Sequence, residues 1–204
     1  ADTGKVFQSM QNLLGIINPE DFPDLEFVDF GGGFKVPYEP GEVEIDYEKL
    51  KLGDDGIISS QLWNCDANIL HVSPYRSFPS GVSASASKKH EYLTWAEATN
   101  HYIIEDDFES EFSVSKKPEE TLFALTKLNN VIYLNTFSKT ISPALRVGYM
   151  VLPEPLVPVF QERLGFHSCT VPTYIQYLVA ELIANGTFER HINRVRRQKR
   201  LTIK

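Results

Sequence analysis

Five apolar runs punctuate the chain: LEFVDF (25–30), ANILHV (67–72), HYIIED (101–106), NVIYLN (130–135) and VGYMVL (147–152). Each has the length of a strand, and none shows the strict apolar–polar alternation of a strand with one face in water. The pattern predicts strands buried on both faces of a mostly parallel sheet. Between them lie SASKKHEYLTWAEATN (85–100) and PEETLFALTKL (118–128), stretches of helical composition. Strands alternating with helices predict an α/β fold with helices flanking the sheet. After residue 153 the pattern turns helical, over 153–165, 171–185 and 187–200. Asn185 and Gly186 mark the stop between the last two helices.

The start of the chain differs in character. DFGGGFKVPYEPGE (29–42) holds four of the twelve glycines and two of the prolines, and reads as a strand end, a glycine-rich turn and a loop. A length of 204 residues suits one substantial α/β domain or two small ones. The formal net charge of −7 disfavours attraction of the whole surface to nucleic acid or anionic membrane. The one basic cluster, RHINRVRRQKR (190–200), reads as the solvated face of a terminal helix. Cys65 and Cys169 are far apart and lack metal-ligand spacing, so both are expected to be small core residues in a reducing compartment. No metal site is expected. No window approaches the ~18 apolar residues of a membrane span, and no charged-then-apolar leader opens the chain. The expected location is the cytoplasm, with no membrane partner.

Candidate chemistry concentrates in NTFSKTISPALRVGY (135–149). Lys139 follows directly on the run NVIYLN, at the strand end where open parallel sheets bind ligands. An amine held there can attack a carbonyl carbon and form an imine. Thr136 and Ser138 offer hydroxyls, and Arg146 offers a bidentate fork suited to a phosphate dianion. An imine-forming lysine beside a phosphate cradle describes a pyridoxal phosphate site, although a surface lysine in a Ser/Thr-rich turn has the same composition. YIIEDDFESEF (102–112) ends its strand in Glu105, Asp106 and Asp107. A strand-end aspartate can keep a pyridine nitrogen protonated, which makes the ring an electron sink. A helix N-cap or a solvated acidic turn has the same appearance. HVSPYRSFPSG (71–81) runs from a strand into a Pro/Gly turn whose N–H groups can face a ligand.

The ordered stretches HVSPYRSFPSG, YIIEDDFESEF and VIYLNTFSKTISPALRVGYMVLP, continuing through RLGFHSCTVPTYIQYLVAELIANGTFERHINRVR, closely resemble the aminotransferase-like domain of MocR/GabR-type transcription regulators. The resemblance covers about residues 45–204. It implies a partial pyridoxal phosphate fold type I large domain with a helical C-terminal part. It further implies that Lys139 forms the internal aldimine, that Asp106 faces the pyridine nitrogen, and that Arg146 binds the phosphate with Ser138 and Thr136. The family's tyrosine for the cofactor's phenolic oxygen is Phe108 here, which cannot donate a hydrogen bond. The family's PSHQFPTG stretch is altered to Pro74-Tyr75-Arg76-Ser77-Phe78-Pro79-Ser80-Gly81.

Residues 2–47 resemble a segment of diaminopimelate decarboxylase-type enzymes, which are fold type III pyridoxal phosphate proteins. There Gly31, Gly32 and Gly33 match a phosphate-binding loop; a ligand-free tight reversal is the plainer reading of the same glycines. The chain therefore reads as composite: a decarboxylase-like segment over 1–45 and a partial aminotransferase-like domain over 46–204. Nothing in it reads as the winged helix-turn-helix of a MocR-type regulator, or as the substrate-carboxylate arginine of the small domain. The function expected from the resemblance is pyridoxal phosphate binding through Lys139, with an amino acid or amine as ligand and with weak or no turnover. The alternatives are a non-enzymatic effector-sensing domain of such a regulator and a cofactor-free structural fragment. A homodimer is also implied.

Overall fold

A computed structural model describes residues 27–28, 47–77, 79–108, 110–112, 120–164, 166, 169 and 171–202. The strands are β1 (Phe27–Val28), β2 (Tyr47–Glu48), β3 (Ile69–Val72), β4 (Tyr102–Asp107), β5 (Val131–Thr136) and β6 (Gly148–Val151). The helices are α1 (Ser59–Asn64), α2 (Ala86–Thr99), α3 (Leu122–Leu125), α4 (Phe137–Thr140), α5 (Leu156–Leu164), α6 (Thr173–Ala184) and α7 (Thr187–Thr202). All six strands form one sheet in the order β2-β1-β3-β4-β5-β6. Its pairings are parallel except β5–β6, which is antiparallel. The antiparallel edge follows from a connection over residues 137–147 that turns back without a crossover helix.

Four of the five predicted strand runs are realised over most of their length. LEFVDF contributes the two-residue β1, and β2, also of two residues, had no apolar run to announce it. The decarboxylase-like segment, with Gly31, Gly32 and Gly33, lies outside the described residues apart from β1 and the start of β2.

The central strands sort their side chains by alternation. On one face Leu70, Val72, Ile103 and Val131 pack with Leu62 of α1, Tyr92, Leu93, Trp95 and Ala96 of α2, and Leu122 of α3. On the other, Ile69, Ile104 and Ile132 pack with Leu134, Met150, Leu152 and Leu156 at the start of α5. Leu62, Ile103, Leu122 and Val131 are fully enclosed, each stabilising the fold by about 1.5–3 kcal/mol.

Helix limits follow from caps. Ser85 accepts from the Lys88 N–H to open α2, and Asn100, left-handed at φ 55°, closes it on the Ala96 carbonyl. Of the stretch predicted helical over 118–128, the described residues 120–128 hold one short helix, α3. Thr121 caps it, and Thr126 turns extended and hydrogen-bonds Asn130 at 2.7 Å to feed β5. The basic C-terminal stretch is helical as expected, but its face is not merely solvated. Arg196 Nε donates to the Glu111 carbonyl at 2.5 Å, and Lys199 Nζ sits 4.5 Å over the Phe112 ring. Cys65 is half-buried and gives its Sγ–H to the Leu62 carbonyl, whereas Cys169 is exposed and so is not the core residue expected. Among the described residues no helix is long and apolar enough to cross a membrane.

One turn depends on glycine. Gly56 has φ +135°, and a Cβ there would run into the Tyr92 hydroxyl, which accepts from the Ile57 N–H at 2.7 Å. Burial first of all pushes the Tyr92 phenol up to about 12, so it stays neutral as a hydrogen-bonding post. Gly56→Ala should cost about 2–4 kcal/mol in urea unfolding, through strain and loss of this post. A loss below about 1 kcal/mol would show that the turn relaxes freely.

Candidate functional site

Strand β4 presents three consecutive acids, and the pleat separates them. Glu105 and Asp107 are fully buried on the α2 face. Glu105 accepts from the Tyr75 hydroxyl at 2.6 Å and from the N–H groups of Leu122 and Phe123 at 2.8 and 2.9 Å. Asp107 accepts from the Ser110 N–H at 2.9 Å, the Ser110 hydroxyl at 2.5 Å and the Tyr133 hydroxyl at 2.7 Å. Asp106 points the other way, with its side chain 37% exposed and its Oδ2 3.7 Å from His71 Nε2. Of the three acids, it is the one left open to a ligand.

Lys139 arrives from the neighbouring strand. Asp106 pairs with Leu134 in the parallel β4–β5 ladder, so the ends of both strands lie side by side. Past β5 the chain enters α4, which carries Lys139, and its Nζ lies 4.5 Å over the Phe108 ring. A cation over an aromatic face is held by the ring quadrupole. Phe108 is two residues beyond Asp106, so the lysine–ring pair stands at the end of the strand that carries the carboxylate. Lys139 is exposed rather than enclosed.

One carbonyl ties this edge to the segment of Arg146. The Val147 carbonyl accepts from the Phe137 N–H at 2.8 Å and from the Thr136 hydroxyl at 3.0 Å. Arg146, exposed and left-handed at φ 51°, closes a 3₁₀ turn over Pro143–Leu145 just before it. Gly148 then allows close approach, since a Cβ there would stand 3.1 Å from the Asn135 carbonyl oxygen. Thr136 is therefore spent on structure: its hydroxyl donates to Val147 and accepts from the Ser138 N–H at 3.1 Å. The turn at 73–84 likewise turns inward, with the N–H groups of Ser77, Gly81 and Ala84 given to the Val82, Ser77 and Pro74 carbonyls. Phe78 lies outside the described residues.

Behind the edge runs a polar network that residue composition did not announce. Asn135 Nδ2 reaches Glu111 Oε1 at 2.8 Å and the Tyr133 hydroxyl at 2.7 Å. Asn135 Oδ1 takes the Thr136 N–H at 2.5 Å, at the start of the lysine turn. Burial foremost pushes the Tyr75 and Tyr133 phenols far up, and their carboxylate neighbours push further. Burial likewise raises the carboxyls of Glu105 and Glu111 above the usual glutamate range. A signal for the network was present in the spacing of Tyr133 and Asn135 along one face of β5, but only the β4–β5 register joins them to Asp107.

The stretch 64–202 matches the family model described as aminotransferase class I and II. The chain is 35% identical over 148 residues to the uncharacterised HTH-type transcriptional regulator YdeL of Bacillus subtilis, covering 72% of this chain and 32% of that protein. It is 32% identical over 163 residues to the HTH-type pyridoxine biosynthesis transcriptional regulator PdxR of Corynebacterium glutamicum, covering 80% and 35%. The chain thus spans about a third of the length of these curated relatives. Among solved structures it superposes on LysN, the alpha-aminoadipate aminotransferase of Thermus thermophilus, solved in complex with N-(5'-phosphopyridoxyl)-L-leucine. The TM-score is 0.64 with 28% identity, covering 74% of this chain and 40% of that one.

Glu105 and Glu111 set a pH dependence. Folding favours their protonated forms, so the stability they contribute is complete below the unfolded-chain value and is lost as pH rises through the raised folded values. Thermal unfolding midpoints should therefore decline across that window. Glu111→Gln should flatten part of the decline, whereas an unchanged slope would place Glu111 in a wetter setting. Tyr133→Phe, which strips a donor from Asp107, should cost about 1–3 kcal/mol in urea unfolding.

Proposed function

The chain belongs to the aminotransferase class I and II family, and on that footing we propose that it binds pyridoxal phosphate at the sheet edge formed by Asp106, Phe108 and Lys139. The observation that carries this reading is a primary amine set over the Phe108 ring just past the end of β5, with a half-open carboxylate near the end of the adjacent β4. That donor set fits the cofactor: an amine for its aldehyde, an anion for its ring nitrogen, and an arginine segment pinned alongside for its phosphate.

When bound, pyridoxal phosphate supplies an electrophilic carbon and a ring that can take up electron density from a substrate carbon. Lys139 would provide the amine for that carbon, and its free Nζ could hold or pass a proton. Asp106 would accept the hydrogen bond of the ring N–H and so favour its protonated form. Arg146, with the Ser138 hydroxyl, would hold the phosphate dianion, while Thr136 holds the turn in shape. Phe108 offers a flat apolar face and no hydrogen-bond donor. The glycines at 31–33 would add a phosphate contact only if brought to the same edge.

The ligand class that fits is an amino acid or amine, bound with weak or no turnover. The similarity to HTH-type regulators favours a sensing role within a longer DNA-binding protein over steady turnover. Association into a homodimer belongs to the same reading.

Mixing the purified chain with pyridoxal phosphate should produce a new visible absorbance band that Lys139→Ala abolishes. Asp106→Ala should weaken the affinity roughly tenfold through loss of a charge-assisted hydrogen bond. Adding amino acids should shift the band without release of a keto acid. A band that survives in Lys139→Ala would overturn the assignment.

A further inference from the structure

β3 reads Ile69-Leu70-His71-Val72, and His71 is the one polar member of a strand paired on both sides. An imidazole in that place forfeits hydration and gives up the packing that a branched apolar residue would supply. Its side chain is only 9% exposed. The parallel register sets His71 opposite Ile104, which brings it diagonally against Asp106 on the same face of the sheet. Around the pair that face is apolar, built from Ile69, Ile104, Ile132 and Leu134.

The contact has a definite sense. Nε2 of His71 stands 3.7 Å from Oδ2 of Asp106, beyond hydrogen-bond length but within reach of an ion pair or dipole attraction. A carboxylate more than a third exposed at the end of a strand would otherwise rotate about its terminal torsion, which is broad for aspartate. An imidazole drawn to one oxygen biases that rotation and leaves the other oxygen to face outward.

We propose that His71 is a positioning residue for Asp106: it engages one carboxylate oxygen from within the sheet so that the other is presented to the ring nitrogen of the bound cofactor. The proposal rests on the cofactor reading above and deepens it. Because His71 acts on the carboxylate, its contribution concerns the ring nitrogen and not the phosphate or the lysine. The same position filled by an apolar residue of similar size would keep the core but lose the bias. Glutamine, whose amide nitrogen can reach a comparable place, would keep part of it.

The test compares two ligands that differ only at the ring nitrogen, pyridoxal phosphate and its 1-deaza analogue, titrated by absorbance and fluorescence. Wild type should prefer pyridoxal phosphate. His71→Phe should narrow that preference by about threefold to tenfold, the range of one hydrogen-bond-sized interaction, with little change in affinity for the deaza analogue. His71→Gln should recover most of the loss, and Asp106→Asn should abolish the preference. In the ligand-free protein, Asp106→Asn should shift the ring nitrogen resonances of His71. Equal weakening of both ligands in His71→Phe would reveal a structural role only, and an unchanged preference would remove His71 from the site; either overturns the inference. If the preference vanishes in Asp106→Asn but not in His71→Phe, the cofactor reading stands and this inference alone falls. If wild type binds neither ligand, both fall together. A His71→Phe chain that fails to fold shifts the decision to His71→Gln and to the His71 resonances, where no shift on Asp106→Asn overturns the proposal.

Discussion

The pleat of β4, locked between β3 and β5 by parallel ladders on both sides, is the constraint on which the molecule depends. With its register fixed on two sides, each successive side chain must go to an assigned face. Three acids in a row thereby acquire different fates. Glu105 and Asp107 enter the interior and are held there by backbone N–H groups, tyrosine hydroxyls and a serine. Asp106 turns to the opposite face and keeps its contact with water. A slip of one residue would exchange these roles, leaving two carboxylates at the edge and one in the core.

Burying two carboxylates beside each other is costly, and the structure offsets the cost with directed donors. The donors are themselves useful. Leu122 and Phe123 start α3, which covers the α2 face, so Glu105 sets where that helix begins. Tyr133 and Asn135 continue the network along β5 to the N–H of Thr136, where the lysine turn opens. Glu111 extends it to α7 through the Arg196 contact with its carbonyl. The lysine is therefore positioned from behind by a polar scaffold and from the front by the Phe108 ring.

How much of this was legible in the residues varies with the physics involved. Runs such as ANILHV and NVIYLN announced their strands because both faces are buried, so no alternation obscured them. The lysine turn was legible because small and hydroxyl residues cluster after NVIYLN. β2 was not, since two residues carry no period. The short α3 was overestimated because PEETLFALTKL has good helical composition, while Thr121 and Thr126 cap it by hydrogen bonds that composition does not express. Thr136 looked like a phosphate donor, yet its hydroxyl closes the turn, which only the approach of Val147 decides. His71 hid within an apolar run, and its partner lies 35 residues away across a ladder. The resemblance singled out Asp106, but the physical reason, that it alone of the three acids turns to the open face, needed the register.

The central claim is that Lys139 is the amine of a pyridoxal phosphate site built on this edge. The most direct measurement is borohydride reduction of the chain mixed with pyridoxal phosphate, followed by peptide mass mapping. The account predicts a single stoichiometric phosphopyridoxyl adduct on the peptide containing Lys139. Modification spread over surface lysines, or concentrated on another lysine with Lys139 intact, would contradict it.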